Sequence, residues 1–278
     1  MIIKRLETPE EYAACEKTMK AIWKFDDRDV IPHHLLKPLN EQGGLVLGAF
    51  DNGSMVGMLV GFLAYYKGKL HHHSHVTGVL DRYKGVGYQL KQKQREFVIS
   101  QGLDLITWTF DPLQSSNAYF NFAKLGVISN TYREDYYGEM RDSLNKGLVS
   151  DRLLVEWWIT ADDVVRRVEG TFQQPRLDKI PQAGIVNETE RRDGFRTCVS
   201  LDLKLTNKRL LVEIPSDINQ IKEKNMDAAQ EWRDITKQIF ETYFSAGYSM
   251  YNVTSEIKNK ERRTYYLLRK DVHEDKSN

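Results

Sequence analysis

The stretch from Lys69 to Gln101 constrains the fold more than any other part of this 278-residue chain. Residues 69–79 read as a strand. Leu80-Asp81-Arg82-Tyr83-Lys84-Gly85-Val86-Gly87 is a glycine-bearing turn, and Tyr88 to Gln101 reads as a helix that Gly102 ends. Two glycines let the backbone approach a ligand closely, and the helix behind them aims unpaired N–H groups and its positive dipole end at that ligand. With Arg82 and Lys84 beside it, this is a cradle for a phosphate. The same residues also suit a plain strand-to-helix turn, because R-x-x-G-x-G taken by itself is a weak motif.

The elements around this segment follow from local signals. Ile2 to Arg5 is a short strand. Thr8-Pro9-Glu10-Glu11 supplies an N-cap, a first-turn proline and a capping-box glutamate, so a helix follows to Trp23. A second helical piece spans His33 to Asn40. Leu45 to Phe50 and Met55 to Tyr66 flank the turn residues Asp51-Asn52-Gly53-Ser54 and form a hairpin. Leu103 to Phe110 is a strand, Ser115 to Leu125 a helix, and Leu153 to Ile159 a further strand. This pattern predicts an α/β (α+β) fold, a mixed β-sheet with helices packed on its faces.

Beyond Thr160 the texture changes to a short polar helix, a loop from Thr171 to Gln182, and strands at Phe195 to Leu203 and Arg209 to Ile214. A long helix follows, with Ala228, Trp232, Ile235, Ile239, Phe240, Tyr243 and Phe244 along one face. Two strands, Tyr248 to Val253 and Arg263 to Leu268, end the pattern. The expected organisation is a first domain over 1–160, a smaller α+β region over 161–270 and a polar tail over 271–278.

Charge excludes some function classes. With 40 Lys+Arg against 39 Asp+Glu the balance is +1, which gives no field to steer nucleic acid or an anionic bilayer to the chain. Cys15 and Cys198 are too few for a disulfide framework, so a reducing cytoplasm is the expected compartment. No apolar run approaches the ~20 residues that span a bilayer, and Met1 to Leu6 lacks a signal-peptide core.

The strand, the turn with Arg82, Gly85 and Gly87, the second strand Leu103 to Phe110 and the helix with Asn117, Ala118, Phe122 and Gly126 resemble the GNAT superfamily of acyl-CoA-dependent N-acyltransferases. Ile106-Thr107-Trp108-Thr109-Phe110-Asp111-Pro112-Leu113, Asn117-Ala118, Asn121 and Lys124-Leu125-Gly126 look like one bacterial and archaeal subfamily of it. Tyr136-Tyr137-Gly138-Glu139-Met140 and Asp151-Arg152-Leu153 extend that likeness. The resemblance implies a splayed GNAT-like sheet, acetyl-CoA or another acyl-CoA as co-substrate, and a small-molecule amine as acceptor.

By that resemblance Arg82, Lys84 and the backbone of Gly85, Val86, Gly87 and Tyr88 hold the pyrophosphate. Amides from Thr77 to Val79 polarise the thioester, and Asn117 bonds the pantetheine amide; a capping or turn role for Asn117 is equally open. The family's usual tyrosine acid falls on Phe122, which has no proton to give. A nearby tyrosine, Tyr119, Tyr136 or Tyr137, is the substitute acid, with Tyr136 the first candidate and solvent as the alternative, and a non-catalytic acyl-CoA-binding module is the alternative function.

On the strand, His71, His73 and His75 share one face, with His72 and Ser74 on the other. His75 is the first candidate for the base that deprotonates the amine and His73 the second. A polar strand face is the plain alternative, and no Cys or carboxylate stands nearby to complete a metal site. The second half carries no R-x-x-G-x-G. It is read as a simple α+β cap or a degenerate GNAT-like half that shapes the acceptor pocket or a homodimer contact.

Overall fold

The computed structural model describes residues 1–24, 26–138 and 147–270. Glu139, Met140 and the polar tail lie outside the described residues. The chain groups into two compact units with interleaved segments: residues 1–108 with 158–160, and 109–138 with 147–157 and 161–270 among the described residues.

The first unit contains β1 (Ile2–Arg5), α1 (Pro9–Trp23), α2 (His33–Glu41), β2 (Leu45–Asp51), β3 (Ser54–Tyr66), β4 (Lys69–Val79), α3 (Val86–Ser100) and the first part of β5 (Leu105–Phe110). Its sheet runs β1-β2-β3-β4-β5, antiparallel until β5, which pairs parallel with β4. The Thr8–Glu11 capping box and Pro9 start α1 as the sequence predicts. Helix α3 begins at Val86, two residues before its expected start, because Gly85 takes the left-handed N-cap position at φ 86°.

Helices cover both faces of this sheet. On one, Tyr12, Cys15 and Met19 of α1 and Leu36 of α2 pack on Val46, Met58, Val60 and Val76. On the other, Val86 and Leu90 of α3 pack on Leu45, Leu47, Leu59 and Val79. Asn40 ties α2 to the first strands: its side chain accepts from Arg5 Nε at 2.8 Å and Val46 N at 2.9 Å, and donates to Leu6 O at 2.8 Å. A Cβ on Gly78 would come within 2.4 Å of the Trp23 ring, so only glycine lets α1 approach β4 there.

The second unit contains α4 (Ser115–Ala118), β6 (Ile128–Arg133), β7 (Arg152–Trp158), α5 (Asp162–Val168), β8 (Gly184–Ile185), β9 (Asn187–Arg192), β10 (Phe195–Leu201), β11 (Arg209–Ile214), α6 (Ile218–Lys224), α7 (Met226–Ser245), β12 (Tyr248–Lys258) and β13 (Glu261–Lys270). Its sheet runs β7-β6-β12-β13-β11-β8, and β9 with β10 makes a separate hairpin. The helix expected from Ser115 to Leu125 is α-helical only to Ala118; Tyr119–Leu125 is a π-helical turn, closed by Gly126 N bonding Asn121 O at 3.0 Å. Strand β9 lacks apolar periodicity, and helix α6 is short, with only Ile218 and Ile221 one turn apart behind its Asp217 cap; neither is among the elements the sequence predicts.

Helix α7 carries the apolar face that its spacing predicts. Ala228, Trp232, Ile239, Phe240 and Tyr243 are buried, and so are the polar Arg233 and Thr236 on the same face. The Phe240 ring meets Tyr132 of β6 and Tyr266 of β13. Both cysteines are free thiols. Among the described residues no helix is long and apolar enough to cross a membrane.

Candidate active site

Strand β4 is paired along one edge and largely open along the other. Its pairing with β3 extends to Val79, opposite Gly57. Its pairing with β5 comprises only His72 with Ile106 and His73 with Thr107. From Ser74 onward the two parallel strands part, so backbone groups on that edge of β4 have no strand partner.

A bulge sits at the same point. Val60 opposes Val76 and Gly61 opposes Ser74, which leaves His75 as the extra residue on β4. Before the bulge the even-numbered residues face α3: His72 stacks edge-on to Phe97, and Ser74 bonds Lys91. After it, Val79 is on that side while Val76 and Gly78 turn to α1. His73 and His75 lie together on the face away from α3, both against the Phe62 ring at 5.2 and 6.0 Å.

These two histidines differ. His73 Nδ1 is 2.9 Å from Thr107 Oγ1, and desolvation, followed by the charges of its neighbours, pushes its pKa down to about 4. Such a ring is neutral at physiological pH and a weak base. His75 keeps its face open to solvent, and desolvation lowers its pKa. His71 is buried with Nδ1 against Lys69 O. Among the described residues no group of three or more His, Cys, Asp or Glu side chains is arranged to hold a metal ion.

The turn after β4 is short and anchored at both ends. Leu80 N bonds Val56 O, Tyr83 N bonds Leu80 O, and Tyr83 Oη donates to Asp51 Oδ2 at 3.2 Å. Gly85 then caps α3 with no side-chain acceptor, and the first turn holds no acidic residue. The leading amides of α3 therefore point outward without a side-chain partner. Gly85 has open space around it and Gly87 only a distant contact with Val79. Arg82 and Lys84 are exposed, and neither pairs with a carboxylate among the described residues. Thr77 Oγ1 is buried with no partner.

Beneath the parting of the strands lies a polar cluster that motif spacing does not reveal. Lys91 of α3 is 3% exposed. Its Nζ donates to Ser74 Oγ at 2.8 Å and to Gln94 Oε1 at 3.2 Å, and lies 3.8 Å from the Trp108 ring centroid. Burial pushes the Lys91 pKa down to about 7. Both ring nitrogens of His72 and Nε2 of Gln94 are buried there without partners. Desolvation and the nearby Lys91 charge push the His72 pKa down to about 3. The signal was present in the sequence: Lys91 and Gln94 share the buried stripe of Val86, Leu90 and Val98 on α3.

Of the residues singled out from the sequence, His73, His75, Thr77, Val79, Arg82, Lys84, Gly85, Val86, Gly87 and Tyr88 all fall within the first unit, along β4 and the start of α3. Asn117 and Tyr136 belong to the second unit. Asn117 is exposed inside α4 and is not its N-cap, which is Gln114. Tyr136 is exposed with its ring 4.7 Å edge-on from Tyr137. Phe122 is fully buried in that unit, against Phe110 and Tyr266. The Tyr266 hydroxyl beside it donates to Pro112 O at 2.7 Å.

No family model and no curated protein matches the chain. Among solved structures it is similar to an aminoglycoside 6'-acetyltransferase type Ii, at 17% identity and TM-score 0.46 over 58% of this chain and 99% of that one. It is similar to the ribosomal-protein-S18-alanine N-acetyltransferase from Escherichia coli, at 15% identity and TM-score 0.45 over 58% and 94%. An acetyltransferase of the GNAT family from Streptococcus pneumoniae gives 17% identity and TM-score 0.44 over 56% and 96%.

Proposed function

We propose that the chain transfers an acetyl or other acyl group from acyl-coenzyme A to the amine of a small molecule, by direct attack of the amine on the thioester. The observation that carries this reading is the open edge of β4, which runs from the parting at Ser74 to a turn built for an anion. Ser74 to Val79 lies opposite Gly61 to Gly57, four strand steps, so this edge rises about 13 Å, a span suited to an extended arm with a phosphate at one end and a thioester at the other. Arg82, Lys84 and the amides of Gly85 to Tyr88 suit the pyrophosphate. Amides of Thr77 to Val79 stand next to the turn and in this reading hold the arm's own amide groups, so the thioester carbonyl and the oxyanion that forms from it fall at the Ser74 end of the edge.

His75 is the base in this reading, exposed and neutral enough to take the amine's proton directly or through water. His73, with a lower pKa and a bond to Thr107, is the weaker candidate. Asn117 and Tyr136 enter through the family resemblance, as pantetheine-amide and acid candidates. Residues 1–160 are assigned as the acyl-CoA domain, 161–270 as a second region and the cytoplasm as the compartment.

Phe122 favours a second reading, an acyl-CoA-binding module without turnover, since its buried ring cannot protonate the departing thiolate. Calorimetric titration with acetyl-CoA tests both, because absence of binding removes both. Replacement of Gly85 and Gly87 by valine abolishes binding if the turn is the cradle; retained binding makes the turn merely structural. Transfer to an amine by the parent chain separates the enzyme from the module.

A further inference from the structure

Lys91 is a buried cation that the reading above leaves unused. Its bonding partner Ser74 belongs to β4, and the ring beneath its Nζ, Trp108, belongs to β5. These are the first residues beyond the last paired positions, His73 and Thr107. One amine therefore touches both strands where they part, and the open edge that would carry an extended thioester ends there.

Its surroundings are unlike those of a structural lysine. No carboxylate pairs with it among the described residues. The titratable neighbours are His72 and His73 of β4, while β5 presents only Trp108 to it and its own helix Gln94. An ammonium has three N–H donors, and here two meet acceptors while the Trp108 ring faces the amine. The ring nitrogens of His72 and the Gln94 amide nitrogen are buried beside it with no partner. That surplus of polar atoms is costly in a merely structural core.

The geometry points to Lys91 as the group that protonates the leaving sulfur, a role for which Phe122 has no hydrogen to offer. This rests on the acyl-transfer reading. In the step, the acceptor nitrogen forms a bond to the thioester carbon and the carbon–sulfur bond breaks, its electron pair going to sulfur. One Lys91 proton moves to that sulfur and gives the neutral thiol, while the proton lost by the acceptor amine goes to His75. Lys91 is left as a neutral amine and recovers a proton from solvent once the thiol has departed. A pKa of about 7 for Lys91 is close to the ~8.5 of a thiol, so the proton passes between them at little cost and the ammonium in turn favours the bound thiolate.

The probe is coenzyme A itself, with its thiolate followed by ultraviolet absorbance against pH in the parent, in Lys91→Met and in Lys91→Gln. Both variants bind coenzyme A with affinity close to the parent, because the pyrophosphate cradle is untouched. In the parent the bound thiol ionises at a lower pH than in free coenzyme A, and in both variants that lowering disappears. Turnover of acetyl-CoA falls about 100-fold in the variants, and the loss shrinks for an acetyl thioester of a more acidic thiol. Identical thiol titrations in parent and variants, or an equal rate loss for both thioesters, overturn the assignment of Lys91. A parent chain that binds no coenzyme A overturns the acyl-transfer reading instead, and Lys91 with it.

Discussion

The Arg233 guanidinium grips both carboxylate oxygens of Asp111, each at 2.8 Å, with the two side chains 2% and 9% exposed. Asp111 Oδ1 also accepts from Leu113 N, so one carboxylate shapes the Asp111-Pro112-Leu113 corner and anchors it to α7. Removing the guanidinium strands a buried carboxylate. Arg233→Met should destabilise the fold by about 3–5 kcal/mol, read as a lowered urea midpoint, and the double variant Arg233→Met with Asp111→Asn should recover part of that loss.

Acid should destabilise the first unit before its carboxylates titrate. His72 and His73 have pKa values near 3 and 4 in the folded chain against 6.5 when unperturbed. Between those values the unfolded chain binds protons that the folded chain refuses. Their contribution is thus complete above pH 6.5 and is lost as pH falls, by up to about 1.4 kcal/mol per pH unit for each ring. Unfolding followed from pH 7 to 4.5 should show this slope, and His72→Phe should flatten it.

Arg82→Ala and Lys84→Ala should each weaken acetyl-CoA binding about tenfold, at roughly 1.4 kcal/mol per exposed charge-assisted contact. Neither charge has a carboxylate partner among the described residues, so the melting temperature should stay unchanged. Calorimetry at two salt concentrations checks this: the losses should shrink as salt rises.

If His75 accepts the amine's proton, kcat/KM should fall on the acid side with a midpoint below pH 6.5, because desolvation lowers that ring's pKa. His75→Ala should lower the rate about 100-fold and remove that limb of the profile. An unaltered profile in the variant would take His75 out of the reaction.

Much of this architecture was legible in the chain because its signals are local. The capping box at Thr8, the hairpin turn at Asp51 to Ser54 and the extended run from Lys69 to Val79 each specify their element within a few residues, and the structure shows all three elements, with alternation along the last kept only as far as the bulge at His75. The face-sharing of His73 and His75 was legible for the same reason. What stayed hidden depends on distant partners. The π-helical turn at Tyr119–Leu125 has the same side-chain chemistry as an α-helix and differs only in which carbonyl each amide reaches. Lys91 lies on the apolar stripe of its helix, but the β4 and β5 residues that surround its amine are distant in sequence, and Arg233 reads as a helix-surface arginine until Asp111, 122 positions away, meets it. The short strand β9, rich in Asn, Glu, Thr and Arg, is held by its hairpin partner β10 and has no apolar face of its own to announce it.

The extra residue at His75 makes chain length, as much as residue identity, a property of the candidate site. Upstream of it His72 and Ser74 face α3; downstream Val79 does. Deleting that one residue would join Ser74 to Val76 in plain alternation, leaving Thr77 and Val79 toward α3 and Val76 and Gly78 toward α1, and would remove only the second histidine of the open face. An alignment that slides a gap across His71 to His75 would then score well and describe a different surface, so relatives of this strand are best compared by counting back from Gly85.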